Sequence, residues 1–149
     1  MREEVAIFRE IRDNCIAVNS TMQTASSTKI FDYHDLIAWQ KADELAHAVY
    51  TVTEKFPRNE NFGLTSQLRR ASLSVPTNIV EGFSRLNKNE FRHFLAISFG
   101  SLAEARYLLE FANKRLLIAD EEYQPLAALR EECSRLIWKL YKSQEKTQS

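Results

Sequence analysis

Apolar residues recur along this chain at steps of three and four, the spacing that gathers them on one side of an α-helix. In residues 63 to 85, Leu64, Leu68, Ala71, Val75, Ile79 and Gly82 fall on a single stripe. Before it, Leu45, Val49, Val52 and Phe56 form another. After it, from about Lys88 to Arg115, come Phe91, Leu95, Ser98, Leu102, Ala105 and Leu109, and then Leu126, Leu129, Cys133, Leu136 and Leu140. Four such stripes with short connections predict an all-α, antiparallel, up-down-up-down four-helix bundle over residues 31 to 143.

The ends of these runs carry matching signals. Asp32 is placed to cap free N–H groups, Asp35 suits the helix dipole, and Phe31 with Leu36 forms a candidate hydrophobic staple, so the first helix should start near Tyr33. Pro57 ends it by disfavouring the α region at the residue before. Asp120, followed by Glu121 and Glu122, is placed to cap the fourth helix, and Pro125 falls near its first turns. Residues 144 to 149 form a polar tail expected to fray. Pro76, inside the second run, lacks an N–H and crowds the carbonyl four residues back, so a bend is expected that leaves the Ser72 carbonyl in need of a partner. Asn78 is the amide best placed to supply it. Gly82 reads as a point of close helix approach, because no glycine-rich loop precedes a helix there to cradle a phosphate.

Some apolar positions lie off the core stripes. Trp39, Ala46 and Tyr50 sit about 100° around the first helix from its core face. Leu73 and Val80 stand off the second, and Ala96, Gly100, Ala103 and Tyr107 make a small-residue back face on the third. This is more apolar surface than one bundle can bury, and it predicts an interface between copies of the chain. Ahead of the bundle, residues 1 to 30 form an extension: Val5, Phe8, Ile11, Cys15 and Val18 at helical spacing, then the polar linker NSTMQTASST.

Several blocks of the sequence, in order, resemble one known family: DLIAWQKADEL at 35 to 45, FP at 56 and 57, GLTSQLRRASLSVPTNIVEGFSR at 63 to 85, and EFRHFLAISFGSLAEARYLLE at 90 to 110. Together they resemble the 23S rRNA intervening-sequence proteins over about residues 31 to 141. The resemblance implies a four-helix bundle assembling into a ring, commonly a pentamer, with no enzymatic activity. Family members lie in or near ribosomal RNA genes, and distant relatives serve retroelements by binding a reverse transcriptase and RNA. Val80 and Phe83 stand where the family usually has Ala and Tyr. Because the resemblance begins just after the linker, Met22 is the expected natural start.

Composition agrees with this outline. At 149 residues and 44% hydrophobic, the chain suits one domain, and three glycines and three prolines favour long helices over a turn-rich β fold. Two cysteines, far apart on apolar stripes, fit core positions in a reducing cytoplasm better than a disulfide, a zinc site or a nucleophile. No apolar run approaches the roughly eighteen residues of a membrane span.

Twenty basic and twenty acidic residues cancel, but residues 61 to 115 hold eight basic groups against four acidic ones, a local net of +4. Arg69, Arg70, Arg85, Lys88 and Arg92 are therefore the candidate contacts for RNA or DNA phosphates; the competing reading pairs the arginines with carboxylates. A scaffold that binds an unidentified protein partner is the alternative function. The enzyme alternative is a di-iron site from Glu44, His47, Glu90 and His93, two Glu-x-x-His pairs. Projection turns both histidines about 140–160° away from the core faces, which argues against it and leaves no catalytic, metal or cofactor site expected.

Overall fold

The Asp32 carboxylate accepts the His34 backbone N–H at 3.1 Å, while Asp35 accepts the Asp32 N–H at 3.3 Å, closing a capping box. That box opens a 3-10 turn, Tyr33–Asp35, before the first α-helix, α1, Ile37–Thr53. The α-helix starts four residues later than the capping signals predict because Leu36 is extended (φ −77°, ψ 114°). In this computed structural model the described residues are 32 to 145. The amphipathic run with Cys15, the linker, Met22 and Phe31 lie outside them.

Three more helices follow: α2, Leu64–Ser84, α3, Lys88–Lys114, and α4, Asp120–Ser143. No strand occurs among the described residues. Each helix packs on its neighbours in sequence, and α4 closes back onto α1, with the α2–α3 contact the most extensive. The four stripes meet inside. Leu45, Val49, Leu68, Val75, Ile79, Phe91, Leu95, Leu109, Cys133 and Leu136 are all buried, joined by Ile118 and Ile137, which the stripes do not include. Leu129 is only partly buried.

Helix α2 runs through Pro76 to Ser84. Contrary to the expectation from the sequence, the Asn78 amide does not serve the Ser72 carbonyl. Its Nδ2 donates to the Ser74 carbonyl at 2.8 Å and to Ser74 Oγ at 2.9 Å, one turn back on its own face. Of the neighbouring hydroxyls, Thr77 Oγ1 donates to the Leu73 carbonyl at 2.7 Å and not to the Ser72 carbonyl that the proline leaves free. A buried cross-link joins the helices at this level, Ser98 Oγ of α3 donating to the Val75 carbonyl at 2.9 Å. Gly82 makes the close approach expected of it: a Cβ there would lie 2.6 Å from the Phe94 Cβ and 3.0 Å from the Phe91 ring.

The α3–α4 turn is built differently from expectation. Asp120 is inside α4, whose N-cap is Ala119. Its carboxylate instead accepts the Asn113 side-chain amide at 2.8 Å, which also donates to the Ile118 carbonyl at 3.1 Å and so ties the turn down. Leu116 adopts a left-handed conformation (φ 61°). Its N–H reaches the Asn113 carbonyl at 2.9 Å and the Leu117 N–H reaches the Ala112 carbonyl at 2.9 Å, the pair of bonds that defines a Schellman motif. At the other end of α4, Gln144 is buried to 1% exposure and Glu145 is ion-paired, so the chain is held two residues beyond the point where fraying was expected.

Candidate functional site

The five predicted phosphate contacts divide along the bundle. Arg85, Lys88 and Arg92 gather around the first turns of α3, with Arg85 on its α2 side over the Phe94 ring (5.5 Å) and Arg92 on its α4 side over the Tyr141 ring (4.5 Å). Arg69 and Arg70 lie about 22 Å away along α2, at 1.5 Å per residue. Arg69 is half-buried and works locally, its Nε donating to Thr53 Oγ1 at 2.8 Å and its guanidinium lying over the Tyr50 ring at 4.8 Å. It seals the end of α1 against α2.

The other arginines also find partners. Arg70 meets Glu104 across α2–α3 at 3.4 Å, with its own side chain three-quarters exposed. Arg85 pairs with Glu81 one turn back, and Arg92 with Glu145 at 2.9 Å. Arg106 pairs with Glu110 at 2.9 Å, and that bond holds the Glu110 carboxyl below its ordinary pKa. Glu81, Glu104 and Glu110 are already counted in the net +4 of residues 61 to 115, so of these pairs only Arg92–Glu145 draws on that excess from outside the segment. Exposed pairs of this kind are worth about 0–1 kcal/mol, so they exchange readily for phosphate, whereas the half-buried Arg69 does not.

The candidate interface residues form two faces. Trp39 and Tyr50 of α1 lie on the side turned to α2, which contributes Leu73 and Val80. Tyr50 and Leu73 are exposed, whereas Ala46 is covered by its own chain at 3% exposure. Trp39 packs edge-on against Tyr33 at 5.0 Å and is half-buried by its own chain. The second face lies on the outside of α3, where Ala96, Gly100, Ala103 and Tyr107 are all exposed, flanked by the exposed Phe99 and Phe111. A Cβ at Gly100 would meet nothing within 4 Å among the described residues.

No group of three or more metal-ligating side chains occurs among the described residues. His47 is 81% exposed and turned toward Asp43 at 3.6 Å, and His93 is exposed beside Phe94. Cys133 is a buried free thiol whose pKa burial pushes up to about 12, with Glu132 and Glu44 adding to the effect, which keeps it in the unreactive thiol form. His34, for which the sequence offers no partner, meets the Asp32 carboxylate at 2.8 Å and stacks on Tyr33.

Sequence reasoning missed a cluster at the open edge of α3 and α4. Phe99 and Trp138 approach at 6.0 Å, and Trp138 stacks on Tyr141 at 5.5 Å and 18°. Lys142 lies over the Trp138 ring at 5.3 Å. These residues, with Arg92 and Ala96, line a cleft of about 290 Å³. The available signal was Trp138 and Tyr141, three apart on one helix beside the core stripe, a spacing that places both rings on one face. A second cleft, about 420 Å³, runs between α1 and α4 over Ala48, Val52, Pro125 and Leu126, bridged by the Lys55–Glu122 ion pair.

Comparison with known proteins bears on this arrangement. The family model described as 23S rRNA-intervening sequence protein matches residues 34–139. The crystal structure of a protein of unknown function from the S23 ribosomal protein family of Bacteroides thetaiotaomicron VPI-5482 is similar in fold, with a TM-score of 0.64 and 22% sequence identity, covering 71% of this chain and 99% of that one. No curated protein matches the chain. Among the described residues no helix is long and apolar enough to cross a membrane.

Proposed function

The chain belongs to the 23S rRNA-intervening sequence protein family, and from that premise we propose that it is a non-enzymatic, cytoplasmic, ring-forming bundle that binds RNA as part of a ribonucleoprotein. Register supports the up-down-up-down topology. Arg70 meets Glu104, Ser74 meets Ser101 and Arg85 meets Phe94, so α3 residue numbers fall as those of α2 rise. Likewise Arg92 meets Glu145 and Phe99 meets Trp138, while Lys41 meets Glu132 and Lys55 meets Glu122.

The observation that carries assembly is the pair of unlike apolar faces, one along α1–α2 and one on the outside of α3. Unlike faces on different sides of a subunit mate head to tail, and a head-to-tail contact that closes makes a ring, five-membered as the family resemblance implies. Repetition around the ring multiplies the modest cationic cluster of Arg85, Lys88 and Arg92, so that contacts too weak singly act together. The exposed faces also favour a second reading, a scaffold for a protein partner.

The test is titration of the purified, nuclease-treated oligomer against fluorescent duplex RNA at low and near-physiological salt. Binding should weaken with salt along a slope of several released counterions. Arg85→Glu with Lys88→Glu should reduce it about tenfold or more without changing the sedimentation of the oligomer. Absence of binding at low salt overturns the RNA reading in favour of the scaffold.

A further inference from the structure

The α3–α4 cleft combines three features that core packing does not require. Its walls are aromatic and solvent-facing, with Trp138 49% and Phe99 36% exposed. Two cations bracket the rings, Arg92 over Tyr141 and Lys142 over Trp138. Both cations converge on one carboxylate oxygen, Glu145 Oε1, each at 2.9 Å. Lys142, and secondarily Arg92, hold the Glu145 carboxyl below its ordinary pKa, which marks this spot as one where an anion is favoured. The Arg92 Nε–H is buried and meets no acceptor among the described residues.

From this we infer that the cleft of Arg92, Phe99, Trp138, Tyr141 and Lys142 is a binding site for an unpaired nucleobase of single-stranded RNA, the base stacking on the aromatic wall and its phosphate replacing the Glu145 carboxylate between the two cations. Charge complementarity chooses the occupant. Aromatic rings alone suit any apolar group, but rings bracketed by two cations that already share an anion suit a flat group carrying a phosphate. At about 290 Å³ the cleft is at the small end of ligand pockets, sized for one base and not for a length of duplex. A base held in a duplex cannot present its face, so the site selects unpaired strands. The cleft abuts the Ala96 end of the small-residue face of α3, which leaves Gly100, Ala103 and Tyr107 for contact between subunits. The inference rests on the RNA reading above and adds to it a strand preference that the cationic cluster by itself does not confer.

The experiment titrates the full chain with a 12-nucleotide uridine-rich single strand, and in parallel with duplex RNA, following tryptophan emission and affinity. Stacking on Trp138 should quench emission with the single strand. Trp138→Leu should remove that quenching and weaken single-strand binding about tenfold, Trp138→Tyr should restore the affinity, and neither should alter duplex binding. Glu145→Gln, which frees the two cations, should strengthen single-strand binding. Single-strand binding by the unaltered chain without quenching overturns the inference and leaves the cationic cluster standing. Failure of both RNAs to bind overturns both. Loss of the oligomer in Trp138→Leu, with no quenching in the unaltered chain, overturns it by placing a second copy of the chain on this face.

Discussion

Gly82 and Gly100 stand on adjoining helices that run against each other, and their surroundings are opposite. At Gly82 the missing side chain is what lets α3 approach: an added Cβ would fall 2.6 Å from the Phe94 Cβ and 3.3 Å from the Phe91 carbonyl oxygen. At Gly100 an added Cβ would meet nothing within 4 Å among the described residues. Glycine in a helix interior costs about 1 kcal/mol relative to alanine, so each needs a compensation. For Gly82 it lies inside the chain, in the α2–α3 seam. For Gly100 nothing inside the described chain supplies it, which directs attention outward, to the surface where Ala96, Ala103 and Tyr107 stand beside it.

The same substitution should therefore have opposite effects at the two positions, and the larger is at the seam. Gly82→Ala gains about 1 kcal/mol of helix propensity but forces α3 away from α2 or its rings off their rotamers, and overpacking of a tight core costs about 1–3 kcal/mol or more. A contact as close as 2.6 Å to a rigid Cβ belongs at the top of that range. A net loss of about 2 kcal/mol is expected, read from the urea midpoint at fixed protein concentration with an unchanged slope. An unchanged midpoint would mean that the seam is looser than the Phe91 and Phe94 contacts imply.

At Gly100 the expectation changes sign. Gly100→Ala should raise the unfolding free energy of the chain by up to about 1 kcal/mol, because the exposed helix position gains propensity without a clash. Gly100→Leu should keep the fold and weaken assembly, since a branched side chain on a small-residue face holds the neighbouring copy away. Sedimentation velocity separates the two effects. Assembly by Gly100→Leu equal to that of the unaltered chain would remove this face from the interface.

How much of this was legible differs between the two sides of the comparison. Burial within a helix is periodic, so the core stripes, including Phe91 through Leu109, and even the close approach at Gly82 could be read from spacing. Contacts between helices depend on register, which no single stretch encodes. Phe99 and Trp138 are 39 positions apart, and Arg92 and Glu145 are 53, so neither the aromatic cleft nor the pairing of Arg92 could be seen in a local pattern. The misread turn at Asp120 has the same origin. An acidic residue before a helix satisfies the capping rule equally well as cap or as acceptor, and the choice was made by Asn113, seven residues earlier.

A third position sharpens the contrast, because there geometry asks for glycine and the chain has leucine. Leu116 occupies the left-handed position that closes α3, at φ 61°, with its side chain 89% exposed. A residue with a Cβ pays about 1–2 kcal/mol in this conformation, and almost no burial offsets it here. Glycine would relieve that strain while adding freedom to the unfolded chain, a cost of about 0.5–1 kcal/mol. The two Schellman bonds, Leu116 N–H to Asn113 and Leu117 N–H to Ala112, use backbone groups alone and would persist. Leu116→Gly should therefore stabilise the chain by about 0.5 kcal/mol, the smallest of the three effects, seen as a slight rise in the urea midpoint. A fall of 1 kcal/mol or more would show instead that this exposed leucine is buried somewhere other than in its own chain, and would extend the contact surface from the α3 face to the α3–α4 turn.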